Sequence, residues 1–148
     1  MTAPDLEFMY GTAWKEDRTE VLTTMALQAG FRAIDTANQR KHYVEAGVGA
    51  AIAAWLAQGH DRSELFVQTK FTFRHGQDHR LPYDPEAPIA EQVEQSFTRS
   101  LSHLGVAALD SYVLHGPSSR FGLGADDHAA WRAMEALQRE GKTRHVGV

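Results

Sequence analysis

Cysteine is absent from the 148-residue chain, which excludes disulfide scaffolds, thiolate metal sites and a cysteine nucleophile, and makes the cytosol the natural compartment. Charge of one sign is also scarce: 15 Lys and Arg face 19 Asp and Glu, for a formal net charge of -4 and no block of like charge. Nucleic acid and anionic membrane surfaces are therefore not expected as partners. Long apolar runs are missing too, since the longest, residues 47–57, is well below the roughly 20 residues a membrane span requires. The opening Met1-Thr2-Ala3-Pro4-Asp5 has no basic stretch and no apolar core, so neither an export signal nor an anchor is expected. Linkers and low-complexity segments are lacking, and residues 1–148 read as a single soluble domain.

What is present is an alternation of strand and helix patterns. Residues 7–14 form a short aromatic and apolar run that breaks at Gly11-Thr12, the mark of a first strand entering a turn. Asp17 and Glu20 resemble a capping box before the helical repeat Val21, Leu22, Met25, Ala26, Ala29, with Gly30 as the stop. A second strand is predicted over residues 31–37 and a second helix over 45–58, with Val48, Ile52, Trp55 and Leu56 on one side. Residues 65–71 read as a parallel strand buried on both faces. A long aperiodic loop, 72–87, precedes a helix with Pro88 in its first turn and a stripe of Ile89, Val93, Phe97, Leu101 and Leu104. Residues 111–114 form a fourth strand. Asp126 or Asp127 caps a fourth helix with Trp131, Met134 and Leu137 on its core side, and residues 145–148 begin a fifth strand.

This order makes one α/β unit and fits two architectures: a five-stranded doubly wound sheet of the flavodoxin type, or the first part of a (β/α)₈ TIM barrel. Length favours the first, because barrels typically need about 250 residues, and periodicity does not separate the two. In both, active sites form where strands run into the following loops. Gly11-Thr12, Asp35, Lys70 and His115 stand at four successive strand ends, and Tyr43 lies in the loop after the second strand.

A phenol is a poor acid at neutral pH unless a neighbouring ammonium stabilises its phenolate, a role Lys70 can take with Asp35 as its counter-charge. His115 can donate a second hydrogen bond to the same carbonyl oxygen. That pair of donors suits carbonyl reduction, and since no side chain supplies hydride, a nicotinamide cofactor is implied and no metal is needed. Each residue also has a plainer reading: Asp35 and Lys70 as a structural ion pair, Tyr43 as loop packing, and His115 as a backbone partner. His75, Asp78 and His79 share a loop but lack a third metal ligand at a recognisable spacing, and His103 and His128 read as helix-surface residues. Gly122 and Gly124 precede a helix without a full phosphate-binding fingerprint.

Six segments in order resemble the aldo-keto reductases. They are Tyr10-Gly11-Thr12, Ala29-Gly30-Phe31-Arg32-Ala33-Ile34-Asp35-Thr36-Ala37, Glu45-Ala46-Gly47-Val48-Gly49, Phe66-Val67-Gln68-Thr69-Lys70, Leu109-Asp110-Ser111-Tyr112-Val113-Leu114-His115-Gly116-Pro117 and Gly141-Lys142-Thr143-Arg144-His145-Val146-Gly147-Val148. The resemblance implies a (β/α)₈ barrel and NADPH-dependent reduction of aldehydes or ketones. It makes Tyr43 the proton donor, Lys70 the residue that lowers the phenol's pKa, Asp35 the partner of Lys70, and His115 the residue that orients the carbonyl. Gly11, Thr12 and Asp35 would then lie on the cofactor side, and Trp14 and His115 on the substrate side.

Two departures stand out. The family's Tyr follows the Asp by five residues, where this chain has Arg40; Tyr43 comes three later, with His42 as the rival donor. The matched segments also stop in the fifth strand, so the resemblance implies the N-terminal part of a barrel, four βα units plus a strand, with most of the NADPH site contributed by later segments. Two other readings remain: a non-catalytic truncated product that self-associates through open sheet edges, and a self-sufficient flavodoxin-like binding domain.

Overall fold

The computed structural model describes residues 7–148, so the reading of residues 1–5 as free of an export signal lies outside the described residues. Five strands, β1 (Met9–Gly11), β2 (Ala33–Asp35), β3 (Phe66–Phe71), β4 (Leu109–Leu114) and β5 (Thr143–Gly147), form one parallel sheet in the order β1-β2-β3-β4-β5. Helices α1 (Thr19–Gln28), α2 (Glu45–Leu56), α3 (Ile89–Leu104) and α4 (Ala125–Arg139) connect them, each packed on the next in a single layer. A flavodoxin-type sheet places its first strand inside the sheet, with helices on both faces. Here β1 is an edge strand and the strands keep chain order, so the doubly wound alternative is set aside in favour of an arc of a (β/α) barrel.

The core lies between sheet and helices. Ile34, Val67, Phe71 and Tyr112 from the strands meet Val48, Ile52, Val93, Phe97 and Met134 from the helices. Phe97 and Tyr112 pack edge to face, 4.9 Å between centroids. The expectation that the third strand is buried on both faces is corrected by its alternation: Val67, Thr69 and Phe71 are buried, whereas Phe66, Gln68 and Lys70 line a partly open concave face. No opposing strands cover that face among the described residues.

Helix boundaries follow local chemistry. Asp17 makes no capping box, because residues Glu16–Arg18 form a 3₁₀ turn and Thr19 Oγ1 donates to the Glu16 carbonyl at 2.7 Å as α1 begins. Val21 and Met25, members of the helical repeat, are exposed; Thr23, Ala26 and Leu27 are buried. At α4 the cap is Gly124, and Asp127 in the first turn accepts the Gly124 N–H at 2.8 Å and the Ser118 N–H at 2.6 Å. Gly124 therefore gives its N–H to a carboxylate of the chain itself. Trp131 is half-buried beside the core residues Met134 and Leu137.

Among the described residues no helix is long and apolar enough to cross a membrane, and no three His, Asp or Glu side chains gather as a metal site.

Candidate active site

The C-terminal ends of β2 and β3 bring a carboxylate and an ammonium together. Lys70 Nζ donates to both oxygens of Asp35 at 2.7 Å and to the Thr36 carbonyl at 2.8 Å, which occupies all three of its donors. The lysine side chain is only 11% exposed, so the pair is largely shielded from solvent screening. Gln68, two residues earlier on the same face of β3, donates Nε2 to Asp35 Oδ1 at 2.8 Å, and Ser111 Oγ on β4 donates to Gln68 Oε1 at 2.8 Å.

Tyr43 arrives on a loop tied down at several points. Asn38 and Gln39 are buried: Asn38 Nδ2 donates to the Ser96 carbonyl at 2.9 Å and Gln39 Nε2 to the Gly76 carbonyl at 2.6 Å. The Tyr43 N–H then closes on the Gln39 carbonyl at 2.9 Å. The long Asp-to-Tyr spacing is taken up in this turn, and the phenol ring lies 5.0 Å from Lys70 Nζ and 5.8 Å from the His115 ring. Arg40, at the family's Tyr position, points outward to Glu16 at 3.4 Å. His42, the rival donor, lies against the Trp14 indole with ring centroids 3.9 Å apart.

The electrostatics of this group differ from the expectation in one respect. Burial, and then the negative charge of Asp35, hold the Tyr43 phenol above its ordinary value. The three hydrogen bonds of Lys70 go to Asp35 and Thr36, and none goes to the phenol. For His115, burial and then the charge of Lys70 push the imidazole below its usual range, against the opposing pull of Asp35. His115 is therefore neutral near pH 7. Its Nδ1 lies 2.8 Å from Thr72 Oγ1, and when that hydroxyl donates, the remaining proton sits on Nε2, free to bind a carbonyl oxygen.

Because the folded state favours the neutral ring, the stabilisation is complete above the unfolded imidazole value of about 6.5 and is lost as pH falls from there toward the lower folded value. Catalysis that needs neutral His115 is expected to persist as pH drops through about 6.5, with the acid limb of kcat/KM below the usual histidine range. A pH–rate profile checks this, and an acid limb at or above the ordinary value would contradict it.

The remaining predicted residues are placed less uniformly. Gly11 borders open space, since a Cβ there would meet no atom within 4 Å. Thr12 is fully buried, and both its N–H (3.0 Å) and its hydroxyl (2.8 Å) donate to the Asp35 carbonyl, so it shapes the turn that carries Gly11. Trp14 is an exposed rim residue in a left-handed conformation, φ 62°. Beside Lys70 and His115 lies a mostly apolar cavity of about 550 Å³, lined by Val113, Leu114, Pro117, Leu123 and Val148. Gln68, Thr72 and Ser111 were not singled out from the sequence. The period-2 rule counted outward from Lys70 picks out Gln68 and Thr72.

Glu45 and His103 also meet, outside this cluster. The buried Glu45 carboxylate accepts from Thr69 Oγ1 and lies 2.9 Å from His103 Nδ1, tying the start of α2 to β3 and α3.

An arc of parallel strands with an ion pair, a phenol and an imidazole at its C-terminal rim defines part of a (β/α) barrel. The chain belongs to the aldo/keto reductase family, which it matches over residues 8–148. It is 34% identical over 139 residues to methylglyoxal reductase DkgA of Salmonella typhimurium, covering 91% of this chain and 42% of that protein. It is 35% identical over 133 residues to aldo-keto reductase Rv2971 of Mycobacterium tuberculosis, covering 90% and 40%. The crystal structure of a Bombyx mori aldo-keto reductase in complex with NADP superposes with a TM-score of 0.73 at 27% identity, over 95% of this chain and 45% of that one. An aldo/keto reductase from Brucella melitensis gives 0.70 at 30% identity, over 95% and 47%. The chain thus spans less than half the length of these relatives, and the fold is correspondingly part of their barrel.

Proposed function

We propose that this chain carries the acid–base half of an NADPH-dependent reductase of small aldehydes or ketones, and that it is the N-terminal part of a longer barrel. The observation that carries the reading is the convergence of Tyr43, Lys70, Asp35 and His115 at one rim. The family membership and the methylglyoxal reductases among the relatives support the substrate class. The lack of cysteine supports a cytosolic setting.

The residues present fit the nicotinamide end of the cofactor: open space over Gly11 and an apolar cavity beside Lys70 and His115. When bound, the nicotinamide supplies hydride to the carbonyl carbon. Tyr43 Oη gives its proton to the carbonyl oxygen, so C=O becomes CH–OH and a phenolate remains, to be reprotonated from solvent. His115 Nε2–H holds that oxygen in line, which concentrates the developing charge between two donors. Lys70 steadies the phenolate, and Asp35 holds Lys70 in place.

The test is titration of the protein with NADPH followed by nicotinamide fluorescence, with light scattering for its mass and turnover of short aldehydes. The 148-residue chain alone is expected to bind weakly and turn over little, and the complete protein to oxidise NADPH in the presence of aldehyde. A complete protein that binds NADPH but reduces no carbonyl would sink the reading.

A further inference from the structure

Strand register sets Gly11, Asp35, Gln68, Ser111 and His145 side by side across the sheet. Interiors of such barrels are filled mainly by bulky branched side chains, yet the middle of this row is Asp, Gln and Ser. They are joined head to tail. Ser111 Oγ donates to Gln68 Oε1, Gln68 Nε2 donates to Asp35 Oδ1, and that same oxygen accepts from Lys70. The carboxylate sets the amide's orientation, because it can only accept and so takes the NH₂, which leaves Oε1 to accept the Ser111 hydroxyl.

We propose that Gln68, held by Ser111, is a positioning residue for the Asp35–Lys70 pair, an inference that rests on the carbonyl-reductase reading of the site. Lys70 can turn toward a Tyr43 phenolate only by releasing one of its three present acceptors. The second donor on Asp35 Oδ1 keeps that oxygen satisfied when the ammonium turns, and it holds the carboxylate against rotation about its broad, two-fold terminal torsion. Gln68 moves no proton. It fixes the geometry through which Lys70 acts on Tyr43.

The experiment compares Gln68→Met, Ser111→Ala and the double variant in the complete protein. It reads hydrogen exchange of the Lys70 ammonium protons by NMR without cofactor, and kcat and KM with NADPH and aldehyde. Gln68→Met, close in size but without the amide, is expected to speed ammonium exchange about tenfold, the scale of one hydrogen bond to a charged group. It should also lower kcat with little change in KM. Ser111→Ala acts in the same direction but less, and the double variant matches Gln68→Met because the serine works only through the glutamine.

Unchanged ammonium exchange in Gln68→Met overturns the proposal, as does a Ser111→Ala effect that adds in full to it. The proposal and the reductase reading fail separately. If exchange responds as expected while Tyr43→Phe leaves reduction intact, the reductase assignment falls and the positioning of the ion pair stands. If exchange is unmoved while Tyr43→Phe abolishes reduction, only the role of Gln68 falls.

Discussion

Tyr43→Phe is expected to lower kcat for carbonyl reduction in the complete protein by roughly 10²–10⁴-fold, the usual contribution of a positioned general acid. KM and the melting temperature should change little. The ring survives, so its packing near Lys70 and His115 is kept. The hydroxyl makes no hydrogen bond to another described residue, so removing it leaves no buried partner unsatisfied. Steady-state kinetics beside a thermal melt separate this outcome from a folding defect. His42→Phe provides the contrast, because that imidazole lies against Trp14 at the rim; an equal loss of kcat there, with Tyr43→Phe active, would move the acid to His42.

The second large effect concerns stability. Gly49 sits in α2 where α3 crosses it, and a Cβ at that position would lie 2.1 Å from the His103 carbonyl oxygen and 3.0 Å from the Leu104 Cα. Both obstacles are backbone, so no rotamer change relieves the contact. Alanine gains up to about 1 kcal/mol of helix propensity over glycine, but forcing two helices apart costs about 1–3 kcal/mol or more. The close approach decides the sign. Gly49→Ala is expected to destabilise the protein by about 2 kcal/mol net and lower Tm by roughly 6 °C, measured by calorimetry or urea melts. Displacing α2 also pulls Glu45 from Thr69 and His103, so the turn that delivers Tyr43 should loosen and activity should fall with stability. A melt unchanged from the parent would show that the helices part at no cost.

The order of elements was legible because the patterns around Ile89, Val93, Phe97 and Leu104, and along residues 66–71, are strong and are punctuated by glycines such as Gly30 and Gly105 that adopt positive φ. Sheet order was not, since the same βα alternation serves a doubly wound sheet and a barrel; the pairing of β1 with β2 alone as an edge decides it. Val21 and Met25 misled because apolar spacing marks a helix face without saying whether a neighbour covers it. Asp35, Lys70 and His115 could be read from their places at strand ends. Tyr43 needed the anchoring of Asn38 and Gln39 by Ser96 and Gly76, contacts 58 and 37 residues away that no local pattern encodes. Gln68 and Ser111 carry polar side chains where a barrel interior is usually apolar, a signal visible only once their strands are known to line that interior.

Because each strand pairs only with those made just before and just after it, the order in which the arc can be built follows the order of synthesis. Strand pairings reach back one βα unit at a time, which keeps loop-closure costs low and lets a growing chain add strands singly. The Asp35–Lys70 pair can close as soon as β3 docks, and His115 joins when β4 lies down, before α4 and β5 have left the ribosome. The cluster proposed for acid–base chemistry is thus an early product of assembly, and its ion pair can first serve as a latch between nascent strands.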